Sequence, residues 1–296
     1  MAIPIITIHH GYVPYLLHVL AQAKATNPRS EIILLGDSSN SIISFVTHRN
    51  TSDYFEEAQK FEEFYQDKHR SPNPYKYELT CFQRWFILKE FMEKNHIERA
   101  VHIDSDLMLY ADMTKESTKF EDCEFTIQNQ GCGHNSFIRL SGIRKFCKLI
   151  MDTYSDPDLF AIIEQQQKER EEQRKGHSVM QIGGISDMSL LRRFYQINGD
   201  NICSTSQILD DSVFDLKIDS ASGGFEMQNS LKKIQWMNQQ PFCKNLELNR
   251  LIKFNSLHFQ GDSKRHIHRY FTGNPLQIIY HKIKIRLLWK LNLIKL

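Results

Sequence analysis

Two stretches of the 296-residue chain carry side chains suited to gripping a cation and a phosphate group. The first is His102-Ile103-Asp104-Ser105-Asp106. Residues two apart in an extended segment face the same way, so Asp104 and Asp106 can converge on one ligand. Paired hard carboxylates suit Mg²⁺ or Mn²⁺, which take oxygen ligands and keep positions open for phosphate. A divalent cation there would neutralise a departing diphosphate. Asp-x-Asp is common, and by itself it also reads as a solvated turn after a strand. The second stretch is His258-Phe259-Gln260-Gly261-Asp262-Ser263-Lys264. His258 offers a neutral third metal ligand. Gly261 permits close backbone approach to a phosphate, and Lys264 is a mobile point charge for it. Asp262 is a further carboxylate candidate. Together the two stretches supply a metal site and a phosphate contact that neither has alone.

A third stretch, Gly183-Gly184-Ile185-Ser186-Asp187-Met188, pairs glycines suited to a loop passing close to a ligand with a carboxylate at the start of a helix. As a helix N-cap, Asp187 needs no further explanation.

The elements that must position these residues follow from hydrophobic period. Ile3 to Ile8 reads as a buried strand ended by His9-His10-Gly11, and Tyr15 to Ala25 as a helix stopped at Asn27-Pro28. Glu31 to Leu35 is a second buried strand ended by Gly36-Asp37. That is a βαβ unit, the repeating element of parallel α/β sheets. Ile42 to Val46 is predicted as a further strand, 66 to 77 as a loop, and Cys81 to Lys94 as an amphipathic helix. Arg99 to Ile103 is a buried strand running into Asp104, so the carboxylates fall at a strand's carboxyl end, where open parallel sheets bind ligands. Cys123 to Ile127 and Ser136 to Leu140 read as strands, Gly142 to Tyr154 as a helix, and residues 200 to 240 as short strands and turns. Glu164 to Lys175 is almost wholly polar and reads as a mobile surface segment or solvated helix.

Composition is that of an ordinary soluble domain, with 41% hydrophobic and 24% charged residues, and a formal net charge of +2 gives no nucleic-acid signature. The six cysteines form no Cys-x-x-Cys pair, which argues against a zinc knuckle or redox motif. They read as reduced, mostly core residues of a cytoplasmic protein. No secretory signal and no membrane-spanning stretch is visible in the sequence.

Asp104-x-Asp106 followed far downstream by His258-x-x-Gly261-x-x-Lys264 resembles the GT-A glycosyltransferases, including the glycogenin-like group called family eight. The family-eight motif continues with Lys-Pro-Trp, whereas Lys264 is followed by Arg265-His266. The rest of the chain, roughly residues 3 to 270, is more similar to bacterial GT-A enzymes of polysaccharide biosynthesis. The matching stretches are His9 to Gly11, Asn27 to Ser30, Leu35 to Asp37, Arg84-Trp85 and Gly133 to Ser136. The resemblance implies a GT-A α/β fold, an open, mostly parallel sheet flanked by helices, over residues 1–272. It implies transfer of a sugar from a nucleotide-diphosphate-sugar, a UDP-sugar by preference, to a glycan or lipid-linked acceptor. Mn²⁺ or Mg²⁺ would be held by Asp104, Asp106 and His258.

On the donor side the resemblance places His9 and His10 by the base or ribose, with Ser105, Gly261 and Lys264. Asp37 would accept a hydrogen bond from uracil or ribose, or else cap a helix. Arg84 would reach the donor phosphates, or else form a surface ion pair. On the acceptor side it places His134, Asn135 and Gly184. Asp187 would be the base of an inverting reaction, while the partial family-eight motif leaves a retaining route open.

Residues 273–296 form a basic, apolar tail, with no acidic residue from Lys264 onward. It reads either as a helix lying on an anionic membrane surface, at the inner face of the plasma membrane, or as a terminal element packed on the domain. The alternatives are a sugar nucleotidyltransferase and a catalytically degenerate nucleotide-sugar-binding protein. The turn His9-His10-Gly11-Tyr12 lacks the glycine-rich, arginine-bearing loop of the former. The intact Asp104, Asp106 and His258 argue against the latter.

Overall fold

The computed structural model describes residues 2–129, 131–173 and 183–291. The strands are β1 (Ile5–Ile8), β2 (Ile32–Gly36), β3 (Thr47–Asn50), β4 (Arg99–Ile103), β5 (Leu107–Leu109), β6 (Phe125–Ile127), β7 (Asn135–Arg139), β8 (Ile202–Ser204), β9 (Ser212–Phe214), β10 (Met227–Gln228), β11 (Leu231–Lys232), β12 (Gln235–Met237), β13 (Gln240–Asn245) and β14 (Arg250–His258). The helices are α1 (Pro14–Thr26), α2 (Glu56–Tyr65), α3 (Tyr75–Lys94), α4 (Met113–Glu116), α5 (Leu140–Ser155), α6 (Pro157–Gln173), α7 (Asp187–Asn198) and α8 (Pro275–Lys290).

Among the described residues, seven strands form one sheet in the order β3-β2-β1-β4-β7-β6-β8. β3, β2, β1 and β4 run parallel, and β7 is antiparallel to both β4 and β6. This is the open, mostly parallel sheet with flanking helices expected from the βαβ pattern. Alternation along the buried strands sends Ile6, Ile33 and Leu35 to a core with α2, α3, α5 and α7. Their neighbours Ile5, Ile32 and Leu34 go to the opposite core with α1 and α8. Burial on both faces explains why these strands read as continuous apolar runs.

A second sheet decides where the far end of the chain goes. β12, β13, β14 and β5 pair in that order, and β9 joins β14. β5 follows the Asp104–Asp106 turn directly, and it pairs antiparallel with β14 so that His258 lies opposite Leu107. The ladder continues with Phe259 N–H donating to the Asp106 carbonyl at 3.0 Å. This register delivers His258 to the carboxylates from 152 positions further along the sequence.

Four expectations are corrected. Ile42 to Val46 is turn, not strand, and the strand begins at Thr47. Its apolar residues are there to bury Ile43 against the α1-side core, with Ile42, Phe45 and Val46 packed around it, and periodicity does not distinguish that from a short buried strand. α3 starts at Tyr75, directly after Pro74, so Tyr75 to Tyr77, expected as loop, belong to its first turn. The polar run from Glu164 belongs to α6 as far as Gln173. Phe160, Ile163 and Gln167 give that helix one buried face. Residues 174 and 175 lie outside the described residues.

Finally, Cys123 and Cys203 are bridged, with Cα atoms 5.8 Å apart, rather than reduced. The parallel pairing of β6 with β8, Phe125 opposite Ile202, brings them together. Cys81, Cys132, Cys147 and Cys243 are free thiols. The bridge closes a separation of 80 residues, so its loss is expected to cost about 2–4 kcal/mol of stability. Urea unfolding of the protein and of Cys203→Ser, each with and without reductant, measures this. Equal midpoints throughout would return the pair to the reduced thiols expected from the sequence.

Candidate functional site

Asp104 and Asp106 sit in the turn between β4 and β5. The Asp104 N–H donates to the His134 carbonyl and its own carbonyl accepts from Leu107 N–H, at 2.9 and 3.1 Å, which fixes the turn at both ends. Asp106 Oδ1 lies 3.3 Å from His258 Nε2, and Oδ2 lies 3.1 Å from Lys264 Nζ. One ligand atom from each of Asp104, Asp106 and His258 falls within 4.8 Å of the others. Two hard oxygens and one imidazole nitrogen at that spacing fit a single Mg²⁺ or Mn²⁺ ion.

The surroundings tune that set. His258 Nδ1 lies 2.7 Å from the Leu216 carbonyl, so Nδ1 carries a proton and Nε2 is the nitrogen turned to the carboxylates. His134 stacks on the His258 ring, with centroids 4.0 Å apart. Burial works to lower the His258 pKa, but the hydrogen bond and charge of Asp106, with Asp104 behind, leave it raised. Burial works to raise the Asp104 carboxyl, but the Arg84 guanidinium and His102 hold it well below the usual carboxylate range.

Arg84 is neither a surface ion pair nor free for a phosphate. Its side chain is largely buried, with Nη1 2.8 Å from Asp104 and Nη2 2.7 Å from Asp187. Asp187 is likewise not the N-cap of α7. Ser186 takes that position, in a reciprocal capping box with Ser189. The Asp187 carboxylate is buried and held by Arg84 and by Trp85 Nε1 at 3.0 Å. Asp104, Asp106 and Asp187 thus face two fixed cations, Arg84 and Lys264. This leaves one negative charge for a bound cation to neutralise.

Two cavities flank the carboxylates and share Arg84 and Asp104 as a common wall. The first, of ≈ 370 Å³, is lined by His9, His10, Tyr15, Tyr77, Ser105, Asp106 and Lys264. The His9 imidazole is held neutral, its pKa lowered first by burial and then by His10 and Lys264, and its Nε2 has no hydrogen-bond partner among the described residues. His10 Nε2 meets Thr51 Oγ1 at 3.1 Å. Gly261 begins the 3₁₀ turn carrying Lys264, at φ +64° and with open space where a side chain would stand. A side chain at 261 would thus strain the backbone even though space is open to it. Asp37 does not face a ligand freely and caps no helix. It locks the β1–α1 turn, accepting from Gly11 N–H at 2.6 Å and Ser39 N–H at 2.8 Å. Burial raises its pKa, but hydrogen bonds from Ser39 and Gly11 bring it below the usual value.

The second cavity, of ≈ 210 Å³, is lined by Gly133, His134, Met188, Lys217, His258 and Gln260. His134 therefore lies on the side expected for an acceptor. Asn135 and Gly184 do not. Asn135 is fully buried on β7 opposite Ile103. Gly184 packs against another loop, where a Cβ would stand 2.0 Å from the Arg70 carbonyl. Its close approach is to backbone, not to a ligand.

Sequence reasoning missed Asp215 and Lys232. They form a fully buried ion pair at 2.9 Å. Asp215 Oδ2 accepts the His258 N–H at 3.1 Å, and Lys232 Nζ also donates to the Lys217 and Ser220 carbonyls. The pair fastens the 215–220 segment, which includes the Leu216 carbonyl, behind His258. No local pattern reveals it, because Lys232 is brought to Asp215 by a loop fold in which its N–H donates to the Ile218 carbonyl at 2.8 Å. Lys232→Met is expected to weaken Mn²⁺ binding by about 10–100-fold, the usual cost of losing a supporting contact to a metal ligand. Electron paramagnetic resonance (EPR) of free Mn²⁺ measures this. Unchanged affinity in a folded variant would confine the pair to stability.

No protein-family model and no curated protein matches the sequence. Among solved structures, the chain is similar to mouse xyloside xylosyltransferase 1, at 10% identity over 72% of this chain and 88% of that one, with a TM-score of 0.49. It is also similar to an active-site mutant of LgtC, at 12% identity over 92% and 98%, with a TM-score of 0.47. A third is the bifunctional glycosyltransferase WbbM, at 11% identity over 95% of this chain and 51% of that one, with a TM-score of 0.44. The chain thus spans about half of WbbM. Likenesses this remote transfer neither activity nor substrate.

Proposed function

We propose that this chain is a GT-A glycosyltransferase that moves a sugar from a nucleotide-diphosphate-sugar to a glycan or lipid-linked acceptor in polysaccharide assembly. The supporting observation is the convergence of Asp104, Asp106 and His258 within 4.8 Å at the rim of a cavity that also holds Lys264. Mn²⁺ or Mg²⁺ held by these three residues would supply positive charge where the leaving diphosphate becomes negative. Lys264 adds a second positive charge there, and His9 and Tyr77 line the wall for base and ribose. A UDP-sugar is the preferred donor. The acceptor hydroxyl enters from the second cavity, past His134 and Lys217.

In this reading Arg84 and Asp187 position rather than react. Arg84 orients the Asp104 carboxylate, and Asp187 orients Arg84. Arg84 Nη2 and Trp85 Nε1 both donate to Asp187 Oδ2, and this double tether supports anchoring over a base role. Residues 1–272 form the catalytic domain in this proposal, and 273–296 an appended tail. The cytoplasmic location rests on the expectation of reduced cysteines, and the Cys123–Cys203 bridge removes that ground for it.

The test is a donor screen with UDP-, GDP- and dTDP-sugars plus Mn²⁺, reading released nucleoside diphosphate. Metal-dependent release from one donor class is expected. Consumption of a nucleoside triphosphate with pyrophosphate release would instead favour a nucleotidyltransferase.

A further inference from the structure

α8 has two apolar faces on opposite sides. Ile278, His281 and Ile285 are buried, and the helix packs on α1. Leu276, Ile279, Ile283 and Leu287 recur at three- and four-residue spacing on the other side, and each is at least half exposed. Tyr280, also exposed, stands beside this stripe, whereas Trp289 projects on the side of Ile278 and Ile285. Helical geometry puts Lys282, Arg286 and Lys290 along one flank of the stripe and Lys284 along the other. No acidic residue follows Asp262.

The basic surface continues beyond the helix. Arg265, His268 and Arg269 are exposed on the 3₁₀ turn that carries Lys264. His268 and Lys282 both act on His18 of α1, whose pKa is lowered to about 4, first by burial and then by Lys282. The turn and α8 both pack on α1, and the turn carries Lys264 of the first cavity's wall.

Two occupants suit an apolar stripe of this kind. A second copy stacked symmetrically on it would bring like-charged flanks together, which is repulsive. Anionic headgroups would neutralise both flanks while the stripe enters the headgroup–acyl boundary, and an interfacial Tyr, here Tyr280, favours that depth. No described helix is long and apolar enough to cross a membrane, so the contact is peripheral.

We propose that the outer face of α8 docks this protein on an anionic lipid bilayer surface, with Leu276, Ile279, Ile283 and Leu287 inserted and Lys282, Lys284, Arg286 and Lys290 on headgroup phosphates. The docking requires no step of the proposed transfer reaction, and its test reads binding alone.

Flotation of the full chain with phosphatidylcholine vesicles, with and without phosphatidylglycerol, tests the proposal. Co-flotation only with phosphatidylglycerol, lost at high salt, is expected. Lys284→Gln and Lys290→Gln should each lower partitioning about five-fold. The doubly substituted Ile283→Ser/Leu287→Ser chain should fail to float while its circular dichroism is unchanged. Absence of flotation by the unsubstituted chain would overturn the proposal, as would flotation indifferent to these substitutions. So would a concentration-dependent dimer in sedimentation that Ile283→Ser/Leu287→Ser breaks.

Discussion

Asp106→Ala is expected to remove Mn²⁺-dependent binding of UDP and all sugar transfer, while the protein stays folded. Asp106 is the carboxylate that faces both His258 and Lys264, at 3.3 and 3.1 Å. Its loss takes away a cation ligand and leaves Lys264 without its partner. Losing a supporting residue around a metal costs about 10–100-fold in affinity, and losing a ligand itself should exceed that. His258→Ala should do the same, since Nδ1 is already committed to Leu216 and only Nε2 is presented. EPR of Mn²⁺ and calorimetry of UDP binding measure both variants. A cation affinity within about 10-fold of the unsubstituted protein would remove these residues from the metal site.

The second large effect lies at Arg84. It bridges Asp104 and Asp187 in a mostly buried setting, with contacts of 2.8 and 2.7 Å. Arg84→Met would leave two carboxylates without their cation, and breaking a buried pair in this way costs about 3–5 kcal/mol. Urea unfolding should show that loss. Asp187→Asn separates anchoring from base chemistry. The amide oxygen can still accept from Arg84 and Trp85 Nε1, so a positioning role predicts kcat/KM within about 10-fold of the unsubstituted enzyme. A general base would lose about 10²–10⁴-fold. A loss of that size, with UDP binding intact, would restore Asp187 as the base of an inverting reaction.

What could be read from the sequence was whatever local period and spacing encode. The β1–α1–β2 unit, the buried strand ending in Asp104 and the start of α7 announce themselves within ten or twenty residues. The motif residues Asp104, Asp106, His258 and Lys264 were legible as chemistry before any contact between them was. What makes them one site is the antiparallel register of β5 with β14, two strands far apart in sequence. The Cys123–Cys203 bridge, set by the β6–β8 pairing, is hidden for the same reason. The expectations at Asp187, Asn135 and Gly184 meet another limit. Each residue type suits a ligand, but burial, an ion pair and a neighbouring backbone had already claimed them. Residue type at a given position states what a side chain can do, and packing decides whether it is free to do it.

The central claim is that Asp104, Asp106 and His258 together hold one divalent ion for a nucleoside diphosphate. Calorimetric titration of Mn²⁺ into the protein, with and without UDP, tests it most directly. One ion per chain is expected, with UDP binding strongly only when Mn²⁺ is present and Mn²⁺ affinity raised in turn by UDP. UDP binding of equal strength with Mn²⁺ and with a chelator, or no Mn²⁺ uptake at this site, would contradict the account.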